Sequence, residues 1–388
     1  MFEKIVRFTF PTEISYGPGA VGQLAENLKE IGINKPMVVT DPGLIKTNVF
    51  SKVQDILKNA GAAYGVFGEV HPNPLDEDIG KALETYRAEG CDGLIGLGGG
   101  SAMDAAKAVG VLAVNNGSVN DYDCATGGNL KIKGPLPPLI AIPTTSGTGS
   151  EVGRCSVITS VEQGRKFMVC HPLMMPSLAV LDPELTLELP AFLTAATGMD
   201  ALTHCIESLT APVFHPMCDA IAAKGIELVG LYLERAVKTP TDLEARAYMQ
   251  LASMMGAVSF QKDLGAVHSL AHALSAVCHV QHGLANAICL IPVMKYNREV
   301  AARDYSKVAG CFGINTFGLS DLEAADKAIE AVADLIKIIG IPTTLSEIDV
   351  KESHLHELAK KAFLDPCHQT NLRPCTEKDL LTLYKKAL

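Results

Sequence analysis

Two short stretches of the chain carry the side chain types that most often bind metal ions in proteins. In TAATGMDALTHCIES, Asp200 and His204 are four residues apart, so on a helix both project from one face about a turn apart. The stretch GAVHSLAHALSAVCHVQHG carries four histidines, which are His268, His272, His279 and His282. An isolated Asp–His pair is typical of a surface hydrogen bond, whereas histidines crowded into an apolar stretch need partners, and a metal ion supplies them. The spacing suits a metal site but leaves open which of the histidines bind.

Two loops rich in glycine and hydroxyl side chains predict a nucleotide site. Gly98-Gly99-Gly100-Ser101 lies between a predicted strand and a predicted helix, where free backbone N–H groups attract phosphate. We expect Ser101 to cap that helix and Asp104 to close a capping box. The segment PTTSGTGSE at Pro143–Glu151 follows another predicted strand directly. The first loop alone is equally typical of a tight turn without a ligand. The alternative for the second loop is a polar linker, but linkers seldom follow a buried strand so closely, and two such loops at strand ends favour nucleotide binding.

Asp41 follows the predicted strand Met37–Thr40 and is the candidate ribose ligand. In the usual dinucleotide fingerprint the acidic residue comes after the glycine loop, whereas Asp41 precedes it. A carboxylate at the end of this strand would hold ribose hydroxyls and repel a 2′-phosphate, which favours NAD over NADP. Capping of the following turn is an equally good interpretation.

The first half of the chain alternates short apolar runs with helix-like segments. The predicted strands are Met37–Thr40, Tyr64–Glu69, DGLIGLGGG and LPPLIAIPTTSG. This alternation predicts right-handed crossovers and a parallel sheet covered on both faces. Beyond the linker LDPELTLELP, long amphipathic or apolar segments follow one another with few β-branched runs. The sequence therefore predicts an α/β dinucleotide-binding domain over residues 1–184 and an all-α metal-binding domain over residues 185–388.

Composition excludes several classes of function. The net charge of −10 and the absence of a Lys/Arg stripe disfavour nucleic-acid binding. The N-terminal segment lacks the apolar stretch of a signal peptide, and no apolar segment reaches membrane-spanning length, so we expect a cytoplasmic protein without a membrane partner. The 11 cysteines include no CxxC pair and are expected to be free structural thiols. Cys205 is noted because it follows a candidate ligand.

Several motifs together resemble the iron-dependent alcohol dehydrogenases, the group III dehydrogenases. They occur in order along nearly the whole chain as GGGS-x-x-D-x-x-K at Gly98–Lys107, PTTSGTGSE at Pro143–Glu151, DPELT at Asp182–Thr186, ATGMDALTH at Ala196–His204, GAVHSLAH with HG-x-AN within Gly265–Asn286, and NLRPCT at Asn371–Thr376. The resemblance implies a dehydroquinate synthase-like fold, in which a cleft separates a dinucleotide domain from a helical domain that holds the metal.

The resemblance also implies particular site residues. The implied metal ligands are Asp200, His204, His268 and His282. His272 falls on a non-ligand histidine near the nicotinamide and is the candidate proton relay. The implied cofactor contacts are Asp41, Asn73, Gly98, Gly99, Gly100, Ser101, Asp104, Thr144, Thr145, Thr148, Lys166 and Leu185. The expected metal is Fe²⁺, although Zn²⁺ accepts the same donors, and the expected cofactor is NAD ahead of NADP.

The expected substrates are short primary alcohols, diols or ω-hydroxy acids and their aldehydes. GRKFMVCHPLMMPSLAVLDPELTLELP and LTAPVFHP resemble 4-hydroxybutyrate dehydrogenases, and Arg154 is the candidate anchor for a substrate carboxylate. Gly153 and Cys155 replace larger residues common in the family, which suggests an opened pocket, and Gln281 replaces a common proline. Two alternatives are a dehydroquinate-synthase-like lyase and a non-catalytic nucleotide-binding protein. We also expect a homo-oligomer of two or more copies.

Overall fold

The computed structural model describes Phe8, Phe10 and residues 12–388, so most of the N-terminal segment in which we expect no signal peptide lies outside the described residues. The chain divides into two compact units. The sheet unit comprises residues 12–145 and Gly149–Leu187. The helical unit comprises Ser146–Thr148 and Glu188–Leu388, together with Phe8 and Phe10. The domain boundary between residues 184 and 185 remains a prediction.

Eight strands lie in the described part of the sheet unit. They are β1 Glu13–Tyr16, β2 Pro36–Val39, β3 Gly65–Phe67, β4 Gly93–Gly98, β5 Leu139–Pro143, β6 Cys155–Ser160, β7 Arg165–Cys170 and β8 Leu178–Leu181. Six of them form one sheet in the order β1-β8-β5-β4-β2-β3, and every pairing in it is parallel. Strands β6 and β7 form a separate antiparallel hairpin.

Helices cover both faces of the parallel sheet, as predicted. They are α1 Leu24–Ile31, α2 Asn48–Asn59, α3 Asp76–Ala88 and α4 Gly100–Val114. Successive residues of β2 enter opposite cores, because side chains alternate along a strand: Met37 and Val39 pack with residues of α3 and α4, and Val38 packs with residues of α1 and α2. All strand residues of β2, β4, β5 and β8 are buried. This burial explains their nearly continuous apolar sequence.

Three parts of the sheet unit differ from the sequence-based expectations. Strands β1 and β8 and the β6–β7 hairpin were not predicted. In β6 half-buried and buried positions alternate, so its sequence lacks the continuous apolar run of the central strands. The helix-like segment after the predicted strand Met37–Thr40 divides into a 3₁₀ turn at Leu44–Lys46 and helix α2.

The hairpin also holds a disulfide bond. The expectation of free thiols is wrong for Cys155 and Cys170, which are bonded to each other, and the other nine cysteines are free. The antiparallel register places these two residues directly opposite each other, with Cα atoms 4.1 Å apart. Because the two cysteines are far apart in the sequence, no local motif predicted that they pair. Cys155 is therefore bonded across the hairpin and no longer supports the expectation of an opened pocket, which now depends on Gly153 alone.

The helical unit is built from nine α-helices over its described residues. They are α5 Ala191–Thr210, α6 Pro216–Lys238, α7 Leu243–Ser259, α8 Ala266–Cys278, α9 His282–Asn297, α10 Ala302–Cys311, α11 Asp321–Ile338, α12 Leu355–Leu364 and α13 Glu377–Ala387. They share one hydrophobic core. The prediction of a helical second half is confirmed.

Among the described residues, no helix is both long and apolar enough to span a bilayer.

Gly283 lets helix α9 begin against helix α5. A Cβ atom on Gly283 would lie 2.1 Å from the carbonyl oxygen of Ala196. Because that oxygen belongs to the backbone of α5, it could not move away without displacing the helix. The side chain of Gln281, in place of the common proline, accepts a hydrogen bond from Leu284 N at 2.8 Å and caps α9. The first residue of α9, His282, is thereby fixed beside the α5 turn that carries Asp200.

Candidate metal centre and cofactor loops

Three helices of the helical unit bring one carboxylate and three imidazoles together. Asp200 and His204 lie one turn apart on α5, His268 lies on α8, and His282 is the first residue of α9. Oδ1 of Asp200 lies 3.6 Å from Nε2 of His204, 3.7 Å from Nε2 of His268 and 3.6 Å from Nε2 of His282. Ligand atoms placed tetrahedrally at about 2.1 Å from a metal ion stand about 3.4 Å apart. The donor atoms of Asp200, His204 and His268 also lie within 4.8 Å of one another, so these three form a candidate metal-binding group, which His282 adjoins through Asp200.

His268 lies between two carboxylates. Its Nδ1 lies 2.6 Å from Oε2 of Glu207, and its Nε2 lies 3.7 Å from Oδ1 of Asp200. A positive charge is favoured between them, either as a second ring proton, which the raised pKa of His268 indicates for the metal-free protein, or as a metal ion on Nε2. An outer carboxylate such as Glu207 is typical of histidines that bind metals.

The charge on each of the four residues affects the pKa values of the others, because all four are buried or nearly so. Burial lowers the pKa of His204 to about 4. Burial also lowers the pKa of His268, but hydrogen bonds to Asp200 and Glu207 outweigh it and raise the value to about 9. Burial acts to raise the pKa of Asp200, yet the neighbouring imidazoles hold it well below its usual range. The carboxylate is thus charged and available as a ligand.

Two supporting residues were missed by sequence reasoning. Glu207 holds His268 and also accepts the backbone N–H of Val267 at 2.7 Å. Nδ2 of Asn286 donates to Oδ1 of Asp200 at 2.7 Å. A signal for both was present, since Glu207 follows His204 by three residues and Asn286 follows His282 by four, so each pair shares a helix face.

Replacement of Glu207 by glutamine should weaken metal binding without unfolding the protein. The amide keeps an acceptor for Val267 N but loses the charge that orients His268. We expect the affinity for Fe²⁺ to fall about 10–100-fold, as for other residues that support a metal ligand. Metal titration with a competing chelator measures this. The exposed Glu227 on α6 provides a matched control, because Glu227→Gln should leave the affinity unchanged.

The remaining histidines of the cluster do not join this group. His272 directs Nδ1 to Oδ2 of Asp365 at 2.8 Å, and its ring stacks on that of His282 with centroids 5.2 Å apart. His279 is exposed and ends α8 in the left-handed conformation. Asp365 was not predicted, and its distance along the chain gave no signal. Cys205 is buried, its thiol faces the carbonyl oxygen of Ala252, and it is not part of the group of donor atoms around Asp200.

The first glycine loop lies beside Asp41 at the carboxyl ends of β2 and β4. Gly98 has φ 143°, which favours glycine, and a Cβ there would lie 3.6 Å from Oδ2 of Asp41. Oδ1 of Asp41 accepts the backbone N–H groups of Gly43 and Leu44 at 2.8 and 2.9 Å. The turn-capping interpretation of Asp41 is therefore correct. Oδ2 takes no part in that cap and faces the loop, so the ribose interpretation remains a prediction.

The predicted capping box of this loop is wrong. Helix α4 begins at Gly100 with no side-chain cap. The Ser101 hydroxyl donates to the carbonyl of Pro72 at 2.5 Å. Asp104 accepts the Ser150 hydroxyl at 2.6 Å and the Val157 N–H at 2.9 Å, which ties α4 to the second loop and to β6. Long-range partners thus replaced the local ones that the motif predicted.

The other predicted cofactor residues occupy varied positions. Thr144 N donates to Gly98 O at 3.0 Å, and Thr145 adjoins Gly99, so the two loops are neighbours. Asn73 follows Pro72, the partner of Ser101. Leu185 is buried in the core between the sheet and helices α1 and α2, and Lys166 lies on β7 opposite Thr159. Thr148 belongs to the helical unit. Their contact with a cofactor remains a prediction.

The sheet unit has polar loops at the carboxyl edge of a parallel sheet, as nucleotide-binding domains do. The helical unit has a carboxylate and three imidazoles, as metal-dependent enzymes do. The family model for iron-containing alcohol dehydrogenases matches residues 11–183, and the model for the C-terminal part of the Fe-containing alcohol dehydrogenase family matches residues 194–388. The chain belongs to the iron-containing alcohol dehydrogenase family, and the predicted class of metal-dependent alcohol dehydrogenase is confirmed.

Similar proteins extend over the whole chain. The NAD-dependent methanol dehydrogenase of Bacillus methanolicus is 38% identical and matches 99% of this chain and 100% of its own. The 4-hydroxybutyrate dehydrogenase of Cupriavidus necator is 39% identical and matches 97% of this chain and 98% of its own. The crystal structure of a 1,3-propanediol oxidoreductase is 35% identical, with a TM-score of 0.95 over 99% of this chain and 100% of that one. These names agree with the predicted NAD use and range of alcohols.

Proposed function

We propose that this enzyme uses NAD and ferrous iron to interconvert short primary alcohols, diols or ω-hydroxy acids with their aldehydes. The observation that carries the proposal is the convergence of three imidazole Nε2 atoms on Oδ1 of Asp200. Asp200, His204, His268 and His282 are the proposed ligands. Ferrous iron takes more than four ligands, so these four protein ligands would leave a coordination position open for a substrate oxygen.

The proposed roles of the chain follow from its contacts. When bound, iron supplies a Lewis acid for the substrate oxygen, and NAD supplies the hydride acceptor. Glu207 and Asn286 hold the ligand side chains in the required orientation. Because Nδ1 of His272 faces Asp365, its Nε2 is the atom left to exchange a proton with the substrate hydroxyl.

The cofactor is proposed to lie along the two loops of the sheet unit. We assign dinucleotide binding to residues 1–184, through the predicted contacts at Asp41, the Gly98–Ser101 loop and Thr144, and metal binding to residues 185–388. Oδ2 of Asp41 faces the first loop, which supports a preference for NAD because a carboxylate repels the 2′-phosphate of NADP.

Removal and replacement of the metal test the proposal directly. A chelator should abolish NADH formation from 1-propanol and 1,3-propanediol, Fe²⁺ should restore it, and Zn²⁺ should not. An aldehyde panel assayed with NADH and with NADPH would give the substrate range and cofactor preference. An iron-loaded protein that forms no NADH with any alcohol would contradict the proposal and favour a lyase or a nucleotide-binding protein.

One observation favours 4-hydroxybutyrate as a particular substrate. Arg154 follows the second loop, its side chain is exposed, and the described residues offer its guanidinium no hydrogen bond or ion pair in the structure. An unpaired guanidinium suits the bidentate binding of a carboxylate. The resemblance to 4-hydroxybutyrate dehydrogenase points the same way.

Replacement of Arg154 by alanine distinguishes this substrate from neutral ones. A hydrogen bond to a charged group contributes about 1.5–3 kcal/mol, so we expect kcat/KM for succinate semialdehyde to fall about 10–100-fold. The value for butanal, which lacks the carboxylate, should stay within about twofold. Equal kinetics of the variant and the parent enzyme toward succinate semialdehyde would exclude Arg154 as the anchor.

We also propose that the enzyme works in the cytoplasm as an assembly of identical chains. Nine of the eleven cysteines are free, which supports a reducing compartment even though Cys155 and Cys170 are bonded to each other. The exposed side chains of Phe214 and Met217 on the helical unit support a contact with another copy. Light scattering coupled to size-exclusion chromatography would measure the assembly, and a monomeric mass would contradict it.

A further inference from the structure

The helical unit carries a second group of metal-binding side chain types beside the proposed iron ligands. His272 on α8 and Asp365 and Cys367, which follow α12, each offer a donor atom, and these atoms all lie within 4.8 Å of one another. All three residues are half-buried, and the side chains of His272 and Asp365 are 16% and 17% exposed. The group is therefore held by the fold yet remains open to small ions.

Asp365 is fixed at the centre of this group by its neighbours. Oδ1 accepts the Ser269 hydroxyl at 2.8 Å and the Cys367 N–H at 2.9 Å, and Oδ2 accepts Nδ1 of His272 at 2.8 Å. Ser269 in turn accepts the backbone N–H of His368 at 2.8 Å. A carboxylate oxygen has two lone-pair positions, so Oδ2 retains one for another partner. Outer hydrogen bonds of this kind orient the ligands of a metal site.

We propose that His272, Asp365 and Cys367 form a site for one thiophilic divalent cation, Zn²⁺ or Cd²⁺, whose binding inhibits the enzyme. A set of one thiolate, one imidazole and one carboxylate selects such ions over Mg²⁺ or Ca²⁺. Burial and the nearby Asp365 raise the pKa of the Cys367 thiol, so its proton leaves to solvent only when the cation binds. The ring proton of neutral His272 moves from Nδ1, which faces Asp365, to Nε2, and ionised Asp365 binds without losing a proton. Water completes the coordination.

The inhibition follows from the role of His272 and rests on the proposed function. A cation bound to Nδ1 of His272 keeps the remaining ring proton on Nε2, so Nε2 can no longer take up a proton from the substrate hydroxyl. The turnover number should therefore fall while iron stays in place, because the proposed iron ligands include no thiol and neither Asp365 nor Cys367 is among them. Exchange of iron for zinc would instead remove iron from the protein.

Cadmium titration of the iron-loaded enzyme tests the site by two readouts. A cadmium–thiolate bond absorbs in the ultraviolet by charge transfer, which reports the site without turnover. We expect one equivalent of this absorption per chain, a parallel loss of alcohol oxidation, and an unchanged iron content after gel filtration. In Cys367→Ala, which keeps the backbone N–H to Asp365, the absorption should disappear and the concentration for half-inhibition should rise at least about tenfold, since weaker perturbations of metal sites already cost 10–100-fold in affinity.

Cys278 provides the matched control. It is a half-buried thiol whose Sγ lies 3.8 Å from Nδ1 of His354, without a carboxylate in the group. Cys278→Ala should keep the absorption and the inhibition of the parent enzyme. The proposal is overturned if Cys367→Ala binds and responds to cadmium as the parent does, or if inhibition follows the loss of iron. If the parent oxidises no alcohol the proposed function fails, while the absorption still tests the site.

Discussion

Replacement of Asp200 by asparagine is expected to abolish both iron binding and alcohol oxidation. The amide oxygen can still accept the hydrogen bond from Asn286, so the local packing is preserved. The negative charge that faces all three Nε2 atoms is lost, and a neutral amide is a poor ligand. Lewis-acid assistance contributes several kcal/mol, and roughly 4 kcal/mol corresponds to about a thousandfold in rate. We expect kcat to fall at least that far, with little iron in the purified variant.

Metal analysis, steady-state kinetics and thermal unfolding measure this outcome together. Asp334→Asn is the matched control, because Asp334 is an exposed carboxylate on α11 whose nearest cation is Lys337 at 3.6 Å. It should keep the iron content and kcat of the parent. A folded Asp200→Asn variant that holds a full equivalent of iron and turns over normally would exclude Asp200 as a ligand.

Replacement of His272 by alanine should reduce turnover while iron remains bound. Proton transfer by a positioned side chain contributes about 10²–10⁴-fold to a rate, so we expect kcat to fall within that range. Nδ1 of His272 bonds to Asp365, which is not among the proposed ligands. Iron content near one equivalent per chain, together with a low kcat, would separate a proton relay from a metal ligand.

His279 supplies the control for this substitution. It follows the last residue of α8, the helix that carries His272, but it is exposed and adopts a left-handed conformation, which asparagine tolerates. His279→Asn should leave kcat and iron content unchanged. If His272→Ala loses iron in proportion to its activity, His272 is a ligand and the assignment taken from the family motifs is incorrect.

Local patterns predicted the parts of the structure that depend on neighbours along the chain. The alternation of apolar runs and helical segments predicted β2 to β5 with α2 to α4 because each element has its own periodicity. The i, i+4 pair Asp200 and His204 was visible for the same reason. The motifs shared with the family separated His272 and His279 from the convergent histidines, which spacing alone left undecided.

Features that depend on distant partners were not predicted. Asp365 reaches His272 only because the segment after α12 returns to α8, and no pattern within either segment records this. Ser101 and Asp104 matched a local capping box, yet Pro72, Ser150 and Val157 became their partners. The Cys155–Cys170 pair depends on the register of a hairpin that was not predicted from the sequence. In each case the deciding contact is tertiary, and a single sequence contains no measure of it.

The convergence of α5, α8 and α9 on one set of donors has a consequence for folding. A metal site formed by all three helices is complete only in the native fold, so the free energy of metal binding would add to the stability of the folded state. At a free metal concentration 100 times the dissociation constant, this contribution is about 2.7 kcal/mol. Iron supply would then set the lifetime of the protein as well as its activity, and chains made under iron limitation would be the first to unfold.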